Sequence, residues 1–123
     1  MASSPLRDRR ILVVEDEYLI AMTLSEHLEE VGSIVVGPVS SVEKAIKAIE
    51  SNQQIDAAVV DVNLGGAMAF PVVDALLARN IPFIFTSGYE GDALRERYPQ
   101  IKNCLKPYLF PEMERALASA IPG

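Results

Sequence analysis

Ala57-Ala58-Val59-Val60-Asp61-Val62-Asn63-Leu64-Gly65-Gly66 is the stretch on which the fold turns. Four apolar residues run without interruption, an aspartate closes them, and a Gly-Gly pair soon breaks the chain. A run so short and so continuously apolar reads as a strand covered on both faces, the habit of parallel sheets. Working outward, the same punctuation recurs. Glu15-Asp16 closes Ile11-Leu12-Val13-Val14, Thr86-Ser87-Gly88 closes Pro82-Phe83-Ile84-Phe85, and Lys106-Pro107 follows Asn103-Cys104-Leu105.

Helical periods fill the gaps. Ile20, Leu24, Leu28 and Val31 recur at helical spacing and Gly32 ends them. A second strand is expected from Ser33 to Gly37. Ser40-Ser41 then caps a helix with Val42, Ile46 and Ile49 inward. After the Gly-Gly break a helix carries Val72, Val73, Leu76 and Leu77, and a fourth strand runs from Phe83 to Thr86. A helix with few apolar anchors is expected over about 90–97, a fifth strand from Ile101 to Leu105, and a last helix with Leu109, Met113, Leu117 and Ile121 four apart. Strand and helix thus alternate five times. Right-handed crossovers turn that pattern into a doubly wound (βα)5, flavodoxin-like α/β fold with a five-stranded parallel sheet in the order 2-1-3-4-5. Such a sheet places its ligand site beyond the carboxyl ends of the strands, where these polar residues stand.

The 123 residues suit one domain, expected over 10–121 after a flexible lead-in at 1–9. A net charge of −6 argues against nucleic-acid binding, since phosphate backbones select basic surfaces. The single cysteine rules out an internal disulfide and suits a reducing cytoplasm. No apolar stretch is long enough to span a bilayer, and Met1 to Arg10 holds charges without a signal-type apolar core. The expected location is the cytoplasm, with no membrane contact.

The strand ends carry the chemistry. Glu15, Asp16 and Asp61 would bring three carboxylates together, which is costly unless a cation joins them. Mg²⁺ fits, being a hard cation that bridges carboxylates to phosphate. Asp61 is a candidate nucleophile, because carboxylates form aspartyl-phosphates. Lys106 would neutralise incoming oxygens as a point charge, and a hydroxyl of Thr86 or Ser87 would bond a phosphoryl oxygen. Those two hydroxyls are adjacent in a strand and so face opposite ways. Pro107 allows its preceding bond to be either cis or trans, and a cis bond would help aim the lysine. Glu17 reads as an acidic residue favouring a helix dipole, Asp56 as a local strand-start bond, His27 as packing or surface, and Cys104 as a small buried apolar residue.

Taken together, these segments resemble the receiver domain of two-component response regulators, over roughly residues 10–121. Ile11-Leu12-Val13-Val14-Glu15-Asp16-Glu17 is similar to that family's first-strand acidic pair. Val59 to Gly66 is similar to its phosphoacceptor strand and loop, Phe85-Thr86-Ser87-Gly88-Tyr89 to the strand ending in its hydroxyl, and Leu105-Lys106-Pro107 to its lysine segment. The resemblance implies that Asp61 takes a phosphoryl group from a phosphohistidine on a sensor kinase or phosphotransfer protein. It implies that Glu15, Asp16, Asp61 and the backbone carbonyl of Asn63 hold Mg²⁺, and that Ser87 and Lys106 grip the phosphoryl group.

The match to a Phe-x-Thr/Ser-Gly-Tyr segment selects Ser87 over Thr86. It also points to small receivers that lack an output domain and act by contact with a downstream protein. Such a domain assists its own phosphorylation and dephosphorylation without being a turnover enzyme. The fourth helix, fifth strand and last helix form the family's usual interface and a candidate homodimer face. Asn103 departs from the pattern, since many receivers carry an aromatic switch residue three positions before the lysine. Tyr89 is a candidate cover for the site, and with Asn63 it flanks the approach of water. The alternatives are a receiver-like adaptor that binds partners without phosphate, and an aspartate-dependent phosphohydrolase or flavin carrier. The phosphohydrolase would want an aspartate where Asn63 stands, and the flavin carrier a phosphate loop where Glu15-Asp16-Glu17 stands.

Overall fold

A computed structural model describes residues 3–51, 53–88 and 96–122. Its elements in chain order are β1 (Arg10–Val14), α1 (Tyr18–Glu30), β2 (Ile34–Val39), α2 (Val42–Glu50), β3 (Ala57–Asp61), β4 (Asn63–Leu64), β5 (Ala67–Met68), α3 (Phe70–Ala78), β6 (Phe83–Ser87), β7 (Asn103–Leu105) and α4 (Phe110–Ala120). Five strands form a parallel sheet in the order β2-β1-β3-β6-β7, the 2-1-3-4-5 winding the sequence implies once the short β4 and β5 are set aside.

Alternation along the strands divides the apolar residues between two cores. Leu12, Val14, Ala58, Val60 and Phe85 pack with α2 and α3. Ile11, Val13, Ala57, Val59, Ile84 and Cys104 pack with Leu24 and Leu28 of α1 and with Met113 and Leu117 of α4. Both faces of β1, β3 and β6 are covered, which is why these strands read as unbroken apolar runs. Ser41 caps α2 as expected, its hydroxyl accepting from the Lys44 N–H at 3.2 Å.

Several details differ from the sequence expectation. β2 runs past Gly37 to Val39 and carries Pro38 after a cis bond, which an edge strand tolerates because no neighbour needs that missing N–H. The Gly65-Gly66 break is the turn of the β4–β5 hairpin, and both glycines hold the positive φ that a two-residue hairpin turn demands. Leu77 and Leu109 point outward, 48% and 76% exposed. The apolar stripe of α3 is filled by Val72, Val73 and Leu76, and Leu109 is the N-cap of α4, one step before helical spacing begins.

Residues 4–9, expected as a flexible lead-in, lie packed against the body. Leu6 is fully buried in the α1–α4 core, Ser4 donates to Glu114 Oε2 at 2.6 Å, and Ser33 donates to the Leu6 carbonyl at 2.7 Å. A single leucine among polar neighbours carries no periodic signal, so sequence reading passed it over. Most of the helix expected over about 90–97 lies outside the described residues, as does Tyr89.

Candidate functional site

The carboxyl edge of the sheet is fixed by backbone bonds between neighbouring strand ends. Glu15 N–H donates to the Val39 carbonyl at 3.0 Å, Val62 N–H to Thr86 at 3.0 Å, and Lys106 N–H to Ser87 at 2.7 Å. The Lys106-Pro107 bond is cis. Three strands therefore deliver Glu15, Asp61 and Lys106 to one place. Lys106 Nζ lies 2.8 Å from Asp61 Oδ2 and 2.9 Å and 3.1 Å from Glu15 Oε1 and Oε2. Glu15 and Asp61 are each only 4% exposed.

The remaining acids stand around this pair. Asp16 is exposed, and its Oδ2 accepts from the Gly65 N–H at 2.8 Å, tying the β4–β5 hairpin to the site. Asn63 N–H donates to Asp61 Oδ1 at 3.0 Å, while its own side chain accepts from the Gly66 N–H at 2.8 Å and braces the turn. Glu17 is the residue that sequence reading undervalued. It is the N-cap of α1 yet makes no side-chain capping bond, and its Oε1 reaches to 3.4 Å from Lys106 Nζ. The one signal for it was its place directly after the acidic pair.

Among the described residues, this cluster is short of positive charge. One carboxylate oxygen from each of Glu15, Asp16, Glu17 and Asp61 lies within 4.8 Å of the others. Burial pushes the Glu15 carboxyl up to about 7, even though Lys106 pulls the other way. Burial works against the Lys106 charge, but the carboxylates of Asp61 and Glu15 outweigh it and hold the ammonium firmly protonated. Four acids around one ammonium, all offering oxygen, suit a hard divalent cation.

The hydroxyls of Thr86 and Ser87 on β6 are both buried, and among the described residues neither Thr86 Oγ1 nor Ser87 Oγ has a hydrogen-bond partner. Thr86 is the register partner of Asp61, and Ser87 of Leu105. Asn103, in register with Phe85, likewise holds a buried Oδ1 with no partner among the described residues. Beside Lys106 opens a cleft of about 480 Å³ between α1 and the start of α4, lined by Leu19, Ile20, Leu24, Tyr108 and Phe110 among others. His27 stacks on Phe110 at its rim, with ring centroids 5.0 Å apart. Among the described residues, no helix is long and apolar enough to cross a membrane.

A parallel 2-1-3-4-5 sheet with acids from two strand ends around a lysine from a third now has known relatives to be set beside. The sequence matches the response regulator receiver domain family over residues 11–103. The chain belongs to that family. It is a receiver domain of two-component signalling, as the sequence motifs implied. It is similar to SdrG from Sphingomonas melonis Fr1, with 40% identity over 98% of both chains and a TM-score of 0.80. It is also similar to the BeF3-activated conformation of SdrG, with 39% identity over 97% of this chain and 98% of that one and a TM-score of 0.76. The receiver domain of the sensor histidine kinase PA1611 from Pseudomonas aeruginosa PAO1, solved with magnesium in its active-site cleft, shares the fold at 24% identity. That likeness covers 91% of this chain and 96% of that one, with a TM-score of 0.77. No curated protein sequence matches the chain.

Proposed function

We propose that this receiver domain accepts a phosphoryl group on Asp61 from a phosphohistidine of a sensor kinase or histidine phosphotransfer protein. The observation that carries the reading is the Lys106 ammonium, 2.8 Å from Asp61 Oδ2 in a site walled by further carboxylates. Asp61 is the oxygen nucleophile. Its carboxylate forms the new O–P bond as the N–P bond of the donor breaks, and the imidazole leaves with the electron pair. Asn63 N–H holds the other carboxylate oxygen in place at 3.0 Å, so the nucleophile is oriented before the donor arrives. Lys106 exchanges its bond to Asp61 for the charged oxygens of the phosphoryl group, and Ser87 donates to one of them. Glu15, Asp16, Asp61 and the Asn63 backbone carbonyl would hold Mg²⁺, which neutralises phosphoryl charge when bound.

The domain assists its own phosphorylation and hydrolysis and has no substrate to turn over. Its output is a contact with a downstream protein in the cytoplasm, and the segment around 90–97 with β7 and α4 is the candidate face for that contact or for a homodimer. The similarity to SdrG, a protein with a BeF3-activated conformation, supports the reading. The test is incubation with Mg²⁺ and a small-molecule phosphodonor. An acid-stable, base-labile adduct should form on Asp61. Absence of an adduct with every donor, or labelling that survives Asp61→Asn, overturns the proposal.

A further inference from the structure

Three buried side-chain oxygens lack hydrogen-bond partners among the described residues: Thr86 Oγ1, Ser87 Oγ and Asn103 Oδ1. All three stand on β6 and β7. Other buried hydroxyls are used, since Ser25 donates to the Ala21 carbonyl at 2.8 Å and Ser33 to Leu6 at 2.7 Å. Burying a hydroxyl with no partner costs stability, so each such group calls for an explanation. Ser87 already has one in the proposed grip on the phosphoryl group. Thr86 has none, and a valine would fill the same volume without the cost.

Its place in the sheet supplies a reason. Thr86 is the Cα partner of Asp61 across the β3–β6 pairing, and register partners in a parallel pair share a face. It is 1% exposed, so no bulk water competes for its hydroxyl. Among the described residues Asp61 accepts from Asn63 N–H on Oδ1 and from Lys106 Nζ on Oδ2. A carboxylate accepts about four hydrogen bonds, so lone pairs remain. Once Lys106 turns to the phosphoryl oxygens, Asp61 loses its charged donor inside a buried site.

We infer that Thr86 is a further positioning residue of the phosphoacceptor site, its hydroxyl taking hold of the Asp61 carboxyl group as Lys106 releases it. The inference rests on the proposed phosphoacceptor role of Asp61. No bond forms or breaks beyond a hydrogen bond. The hydroxyl rotates about χ1, donates to an Asp61 oxygen, and keeps that group aligned while the phosphoryl group is in place.

The test compares wild type with Thr86→Val, which removes the O–H at constant volume, and Thr86→Ser, which keeps it. The readouts are beryllofluoride affinity by calorimetry in saturating Mg²⁺ and the thermal midpoint without ligand. Thr86→Val should bind beryllofluoride at least fivefold more weakly while melting at the same or a higher temperature, and Thr86→Ser should bind within twofold of wild type. Equal affinity in wild type and Thr86→Val overturns the inference and leaves Asp61 as phosphoacceptor intact. Equal weakening by Val and Ser, or a lowered midpoint in Thr86→Val, also overturns it, because the side chain would then serve packing or an unliganded bond. Failure of wild type to bind beryllofluoride removes the phosphoacceptor reading itself and this inference with it.

Discussion

Two aspartates flank one five-residue strand and live in different electrostatic worlds. Asp56 precedes β3 at its amino end, accepting from the Arg10 N–H at 2.7 Å and from the Gln54 amide at 3.0 Å. Burial pushes its carboxyl up, yet these donors and the nearby Arg9 and Arg10 hold it below the ordinary range. Its bonds are met, and it serves to start the strand. Asp61 closes the same strand at the carboxyl end, buried, with a lysine on one oxygen and other acids around it. A satisfied carboxylate is structural. A crowded one whose partner can be drawn away is chemical.

The sharpest way to break that contrast is to neutralise each aspartate in turn. Asp61→Asn should lower phosphorylation by a small-molecule donor by more than 10³-fold, about 4 kcal/mol in barrier. Asp56→Asn should leave the rate within twofold. Equal losses would end the distinction. Next in size is Lys106→Met, which strands two buried carboxylates. Urea unfolding without metal should show a loss of about 3 kcal/mol, and Mg²⁺ should restore part of it.

A smaller effect sharpens the electrostatic side. The Glu15 carboxyl keeps its proton up to about 7 in the folded chain, against 4.5 in the unfolded one. Between those values the unfolded chain has released a proton that the folded chain still binds, so stability falls as pH rises. Relative to Glu15→Gln, wild type without metal should therefore lose about 1–3 kcal/mol from pH 4.5 to 7 and little beyond. A flat difference across that window would mean that the site tolerates the charge. The smallest effect belongs to the structural end. Asp56→Ala should cost about 1 kcal/mol in urea unfolding through its lost hydrogen bonds and leave phosphorylation unchanged.

Much of this contrast was legible because strand ends are punctuated. An apolar run closed by Asp61, another by Glu15-Asp16 and a third followed by Lys106 place their polar residues on one edge once the strands are parallel. Asp56 was legible in part: its place at a strand start and a local bond, here to Gln54, were expected, but its bond to the Arg10 N–H comes from 46 residues away. What escaped had no periodic signature. Leu6 is one apolar residue in a polar segment, and only its burial under α4 gives it meaning. Glu17 looked like any acid at a helix start, and its reach to Lys106 depends on a residue 89 positions away. Leu77 fits the helical stripe of α3 but lies outside the part the core covers, and Leu109 falls one residue before its helix begins. The choice between Thr86 and Ser87 came from family resemblance, since alternation alone says only that the two diverge.

The bond from the Gly65 amide to Asp16 Oδ2 has a practical consequence. Any cation that recruits that carboxylate bargains with a backbone proton at the tip of a two-residue turn. The exchange rate of that one proton is then a built-in gauge of the acid cluster, readable by NMR without a dye, a label or an added tryptophan.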